Sequence, residues 1–202
     1  HIPGLRILMP SNPNDAKGML ISAINCPDPV IIFEHRSLFD IVGEVEEDYI
    51  LVDINKARIV RNGDSLTIVA TSISVLEALS AADMLASIGV EIEVIDMRVI
   101  APIDEETILE SIRKTRRLLV LDNSWSRFGL GSEVISLVSE KSFDTLISPP
   151  RKLSLADCPA PVATNLEHQF YFSINDIVQE IRNILSIDSE IQFSINSSSS
   201  FL

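Results

Sequence analysis

LTIVATSISVLEALSAADMLASIGVEIEVIDM, residues 66–97, is the stretch whose pattern settles the architecture. Leu66 to Ala70 is an apolar run of strand length, and Ser72 stands where an N-cap belongs. Val75, Leu76, Leu79, Ala82, Met84 and Leu85 then recur along one wide helical face that ends at Gly89, before a second buried-type strand, Ile92 to Met97. Two strands that are apolar on both faces, joined by a helix, make a parallel unit covered on both sides. The alternation continues downstream. Asp104-Glu105-Glu106 puts acids in the first turn of a helix through Ile108, Leu109 and Ile112, and Arg113, Lys114, Arg116 and Arg117 stand at its other end, both complementing the helix dipole. Leu118 to Leu121 is the next strand, followed by a loop through Trp125, a helix from about Leu130 to Glu140, a strand at Lys152 to Ala156 and a final helix, Asp176 to Leu185. The expected fold class is α/β, with a mostly parallel, right-handed sheet.

Working upstream, Ala57 to Val60, the turn Asn62-Gly63-Asp64 and Leu66 to Ala70 read as a hairpin that adds one antiparallel strand. Before it the pattern loosens into Gly43 and the acidic run Glu44, Glu46, Glu47 and Asp48, which reads as a solvated linker over residues 41–56. Residues 1–40 hold a strand at 5–9, the turn and cap cluster Ser11 to Asp15, a helix through Met19, Leu20, Ala23 and Ile24, and a strand Val30 to Phe33 after Pro27 and Pro29. A lone strand–helix–strand unit cannot cover both faces of its sheet, so it reads as the end of a larger domain. The complete domain is expected over 57–186. The stretch 187–202, with four serines at 197–200, is expected to be a disordered tail.

The 202 residues carry 29 Asp and Glu against 16 Lys and Arg, a formal charge of −13, with 46% apolar content. That composition builds a substantial core and excludes general disorder. It argues against tracking nucleic-acid phosphates or anionic lipid and favours a basic protein partner. Cys26 and Cys158 belong to no paired motif, so neither a disulfide framework nor a zinc site is expected and a reducing compartment is the default. The longest apolar runs are strand-length, far short of the roughly 20 residues that span a bilayer, and no signal peptide is read.

A self-contained active site would show a nucleophile elbow, a phosphate loop or metal-ligand spacing; no catalytic or cofactor-binding residue is assigned. Gly129-Leu130-Gly131 lacks the third glycine of a dinucleotide fingerprint and reads as tight strand-to-helix packing, with anion contact as the alternative. His35, between Glu34 and Arg36 at a strand end, reads as an interface or supporting residue ahead of a catalytic one, and His168 as a surface group. Trp125 reads equally as a core anchor or an interface residue. Asp83, Asp96 and Asp122 read as solvated or capping groups.

The residues also carry a family likeness. PGLRILMPSNPNDAKGML at 3–20 and DPVIIFEHRSLF at 28–39 resemble stretches of the β subunit of thiamine-diphosphate-dependent 2-oxoacid dehydrogenases, the pyruvate, branched-chain and acetoin type. LTIVA at 66–70, EVIDMRVIAPID at 93–104, FGLGSE at 128–133 and DCPAP at 157–161 resemble, in order, the transketolase C-terminal domain. The resemblance implies the end of an N-terminally truncated pyrimidine-binding domain over 1–40 and a transketolase C-terminal-like domain over 57–186. It implies part of the decarboxylating component of a multienzyme complex, with thiamine diphosphate and Mg held by the assembled enzyme rather than by this chain. The family's cofactor-activating glutamate and catalytic histidine lie upstream of the PGL segment, so His1 is not that histidine and this chain alone is expected to be inactive. The partners implied are an α subunit, a second β subunit and the basic peripheral domain of the lipoyl acyltransferase, in the cytoplasm or, in a eukaryote, the mitochondrial matrix or plastid. Ala23, Ile24 and Asp28 align with a monovalent-cation (K) site, but Cys26 replaces an acid of that pattern and a thiol suits a hard cation poorly, so the site is expected to be degraded. The alternatives are a non-catalytic assembly module and another transketolase-like enzyme.

Overall fold

The computed structural model describes residues 2–187. Five strands form the larger sheet: β3 (Arg58–Arg61), β4 (Leu66–Ala70), β5 (Ile92–Asp96), β7 (Leu118–Trp125) and β8 (Arg151–Leu155), in the order β3-β5-β4-β7-β8. All contacts are parallel except β3 with β5. The period-2 alternation of the strands covers both faces. Leu66, Ile68 and Ala70 join Leu119 and Leu121 under α2 (Ile73–Ala86) and α6 (Ile174–Leu185), while Val69, Ile95, Leu118 and Val120 pack against α3 (Glu105–Thr115) and α4 (Leu130–Ser142). The result is a mostly parallel three-layer α/β sandwich with one antiparallel edge strand, the fold class expected from the sequence.

Three local expectations fail, each for a physical reason. β3 and β4 do not form a hairpin, because β5 lies between them. A strand buried on both faces needs partners on both edges, and the Asn62–Ser65 turn instead carries the chain across the start of β5, where Asp64 and Ser65 donate N–H bonds to the Glu91 carbonyl. Gly63 is needed there: a Cβ would stand 2.3 Å from the Ile92 carbonyl carbon. Ser72 does not cap α2 with its side chain. Its backbone is left-handed (φ 53°), its Oγ makes no hydrogen bond, and the Ser74 and Val75 N–H groups are taken by the carbonyls of Thr71 and Ser72. Trp125 lies on a strand rather than in a loop, since β7 continues through a bulge to pair Trp125 with Leu155.

Caps elsewhere follow the sequence. The Asp104 side chain accepts the Thr107 N–H, and Ser173 and Asp176 form a reciprocal capping box on α6. That helix buries Ile177, Val178 and Ile181, each worth about 1.5–3 kcal/mol of transfer free energy.

The first 40 residues build a second, smaller sheet. β1 (Arg6–Leu8) pairs in parallel with β2 (Val30–Ile32) across α1 (Pro13–Ile24), and antiparallel with β6 (Val99–Ala101), a three-residue strand not foreseen from the sequence. Its core is small: Leu8, Met19, Ile54 and Val99. Residues 41–56 run along α1. Ser22 Oγ bonds both backbone groups of Val52, and Gly18 admits Val52, whose Cγ2 would lie 2.4 Å from a Cβ. Another helix not foreseen, α5 (Thr164–Phe170), buries no residue. The expectation of a disordered tail falls on residues 188–202, outside the described ones. Among the described residues no helix is long and apolar enough to cross a membrane.

Candidate functional site

The two sheets meet at a buried polar joint. β6 follows β5 after Met97-Arg98, so one chain segment serves both sheets, and the Met9 N–H donates to the Arg98 carbonyl at 2.8 Å. Asp15, in the first turn of α1 and only 2% exposed, accepts Arg98 Nη1 at 3.0 Å and pairs with Arg58 Nη2 at 3.1 Å. Asn12 caps the same helix through the Asp15 N–H and returns Nδ2 to the Asp15 carboxylate. Arg98 Nε reaches the Lys56 carbonyl. Asp96, at the end of β5, is fully buried; it accepts Ser11 Oγ at 2.5 Å and the Arg98 N–H at 3.0 Å. Burial pushes its carboxyl above the usual carboxylate range, with those two hydrogen bonds opposing and the neighbouring Asp15 adding to the rise. Asp96 is therefore neither solvated nor a cap, contrary to the sequence reading: it ties the Pro10-Ser11-Asn12 turn of the small sheet to the large one.

The other candidates lie apart. Asp83 meets Arg61 on the surface, and Asp122 caps α4, accepting the Gly131 N–H at 2.7 Å. That carboxylate answers the glycine question. Gly129 and Gly131 leave room for Asp122 and Ser124, whose nearest atoms would lie 2.3–3.3 Å from added Cβ atoms, so the helix N-terminus already holds an anion. Trp125 is 56% exposed and donates Nε1–H to the Cys158 carbonyl at 3.0 Å. His168 sits on exposed α5.

In the segment aligned with the cation site, the Ala23 carbonyl accepts the Cys26 N–H at 3.2 Å and the Ile24 side chain is exposed. Asp28 Oδ2 accepts the Arg6 Nε–H at 2.9 Å. Among the described residues no three His, Cys, Asp or Glu side chains gather to hold a metal.

What remains is a groove that the motifs did not announce. It measures about 190 Å³ and runs between Pro10–Ala16 and Glu34–Ile41, beside the carboxyl ends of parallel β1 and β2. His35 lines it, with Nδ1 accepting the Ser37 N–H at 3.2 Å. Elsewhere the small unit exposes Ile24, Ile31, Phe33, Tyr49 and Leu51, and Phe39 on the groove wall is exposed as well.

The geometry agrees with comparisons to known proteins. The family description "Transketolase, C-terminal domain" matches residues 55–177, and "Transketolase, pyrimidine binding domain" matches residues 1–41. The chain is 39% identical over 184 residues to the acetoin:2,6-dichlorophenolindophenol oxidoreductase subunit beta of Bacillus subtilis (strain 168), covering 91% of this chain and 54% of that protein. It is 42% identical over 183 residues to the mitochondrial pyruvate dehydrogenase E1 component subunit beta-2 of Oryza sativa subsp. japonica, covering 89% and 49%. Among solved structures it resembles a split-gene transketolase described as an inactive beta4 tetramer, with a TM-score of 0.76 and 26% identity over 92% of this chain and 59% of that one. The chain spans about half the length of the curated relatives it matches. With its five-stranded unit matched along nearly its whole length and its small unit matched to the neighbouring domain, the chain belongs to the transketolase family.

Proposed function

We propose that this chain acts within the β subunit of a thiamine-diphosphate-dependent 2-oxoacid dehydrogenase, the component that decarboxylates a 2-oxoacid. The observation that carries the reading is a small unit whose own core is only Leu8, Met19, Ile54 and Val99, tied to the five-stranded domain through Arg98 and Asp15, with Ile24, Ile31, Phe33 and Phe39 left exposed. Such a surface serves assembly, and the relatives named as pyruvate dehydrogenase and acetoin oxidoreductase β subunits support the identity of the assembly. In this reading the small unit contacts an α subunit and a second β subunit, and the acidic C-terminal domain receives the basic peripheral domain of the lipoyl acyltransferase, with opposite potentials steering the encounter.

Thiamine diphosphate and Mg belong to the assembled enzyme. The one glycine-rich turn of this chain is filled by Asp122, and no step of the reaction is assigned to its residues. The cation site at Ala23, Ile24 and Asp28 is degraded and does not hold K: Cys26 offers a thiol, Asp28 is already paired with Arg6, and the Ala23 carbonyl carries an N–H bond. The proposed location is the cytoplasm or, in a eukaryote, the mitochondrial matrix or plastid.

The test is cofactor binding and 2-oxoacid decarboxylation with a co-expressed α subunit, comparing this chain with one extended upstream through a cofactor-binding segment. Turnover by the extended form alone is expected. Turnover by this chain would contradict the account, and assembly without turnover by either form would mark a non-catalytic module.

A further inference from the structure

We propose that the groove between residues 10–16 and 34–41 docks a basic segment of a partner polypeptide, anchored by one apolar side chain. Its walls are Pro10, Pro13 and Ala16 on one side and Leu38, Phe39 and Ile41 on the other. Two prolines and the capped first turn of α1 make the first wall stiff. A volume of about 190 Å³ is below that of pockets that enclose a whole small-molecule ligand, about 300–1,000 Å³, and suits a single leucine- or phenylalanine-sized anchor.

The charge of the occupant follows from the rim. Residues 34–48 hold six carboxylates, Glu34, Asp40, Glu44, Glu46, Glu47 and Asp48, against one base, Arg36. All six are exposed and none joins an ion pair among the described residues. The nearest lysine cannot serve them. Lys17 directs its ammonium to the backbone carbonyls of Glu46, Glu47 and Asp48, and the Glu46 N–H donates to Asn14 Oδ1 at 3.0 Å. Lys17 thus holds the acidic segment against α1 through its backbone and leaves the carboxylates facing outward. Gly43 lies against Pro13, where a Cβ would be 3.3 Å from Cδ, so this segment borders the groove. An apolar slot bordered by fixed, uncompensated negative charge is complementary to an apolar residue flanked by Lys or Arg, and because both parts are held in place little ordering cost opposes binding.

The inference rests on the functional reading only in taking the occupant to be another subunit, and its test separates the two. The full chain is titrated into fluorescein-labelled GKKLFKKG, with GKKSSKKG and GEELFEEG as controls, by fluorescence anisotropy at two salt concentrations. The Leu-Phe basic peptide should bind at least 10-fold more tightly than the Ser-Ser one, and the acidic one should not bind. Phe39→Ser and the groove-filling Ala16→Phe should each weaken binding about 10-fold. Glu34→Gln and Glu46→Gln, both exposed, should each weaken it two- to threefold and flatten the salt dependence. Equal affinity for the two basic peptides, no effect of the groove variants, or self-association of the chain that Ala16→Phe abolishes and the peptide does not compete for would each overturn the proposal. Co-purification with the α subunit is measured alongside. A complex that forms normally with Phe39→Ser and Ala16→Phe, together with unchanged peptide binding, sinks the groove and leaves the functional reading standing; no complex with wild type, with peptide binding intact, does the reverse.

Discussion

The five-stranded domain and the three-stranded unit are made from the same kinds of residue, and they differ in where those residues end up. In the larger sheet Leu66, Ile68, Ile92, Ile95, Leu118 and Leu119 are wholly buried beneath helices on both faces. In the smaller one the comparable positions stay open: Ile31 on β2, Phe33 just after it, and Ile24 at the end of α1. The larger sheet completes its own core and its polar groups stabilise that core from within, as where Glu93 meets Ser111 and Lys114 beside the Thr67–Thr115 pair. The smaller sheet has a core of a few residues and depends on a buried ionic joint to its neighbour. One region is stable by burial and the other by attachment.

The largest expected effect breaks the attachment. Arg98→Ala removes one of the two cations on buried Asp15 together with the bond from Arg98 Nε to the Lys56 carbonyl and the packing of the Arg98 stem, and should cost about 2–5 kcal/mol. Hydrogen exchange should show α1 and β1 losing protection while β4 and β7 keep theirs; uniform loss across both sheets would mean that they form a single cooperative unit.

Next comes a matched pair of apolar truncations. Ile68→Ala, at a fully buried position, should cost about 2–5 kcal/mol in urea unfolding. Ile24→Ala, at a position 76% exposed, should stay within about 0.5 kcal/mol. Similar costs at the two sites would remove the contrast between the regions.

The smallest effect concerns pH. Glu77 on α2 is partly buried with Oε2 unpartnered, and burial raises its carboxyl pKa above the ordinary 4.5, with Ser74 opposing. The fold therefore favours the protonated acid. Its contribution to stability is complete below about pH 4.5 and is lost as pH rises through the folded pKa. Glu77→Gln should remove that part of the pH dependence, so that its stability relative to wild type improves between pH 4 and pH 7. An unchanged difference across that range would show that the environment does not distinguish the two protonation states.

The legible part of the molecule was the part built from local pattern. Buried strands, amphipathic helices and caps from Leu66 to Leu185 could be read because periods of 2 and 3.6 and cap residues lie within single elements. Pairing between distant segments could not. The Asn-Gly turn at 62–63 has the local form of a hairpin, and only the demand of β5 for a second edge partner opens it. β6 is three residues whose partner, β1, lies about 90 positions earlier. Asp96 looked like any strand-end acid until Ser11, 85 residues away, met it. The groove was equally hidden, since its walls come from both ends of the small unit. Its only signal was that the acidic run of 44–48 had no compensating bases nearby. The family resemblance came from motifs rather than periodicity, and the matches to both transketolase domains agree with it.

The central claim is that residues 24–51 form a contact surface while the five-stranded domain stands complete. Hydrogen exchange of this chain, free and mixed with the α subunit of a 2-oxoacid dehydrogenase, tests it most directly. The account predicts new protection concentrated in 24–51, with β4, β5 and β7 already protected in the free chain and unchanged on mixing. Protection that appears only on the five-stranded domain, or no change anywhere at concentrations where related subunits assemble, would contradict it.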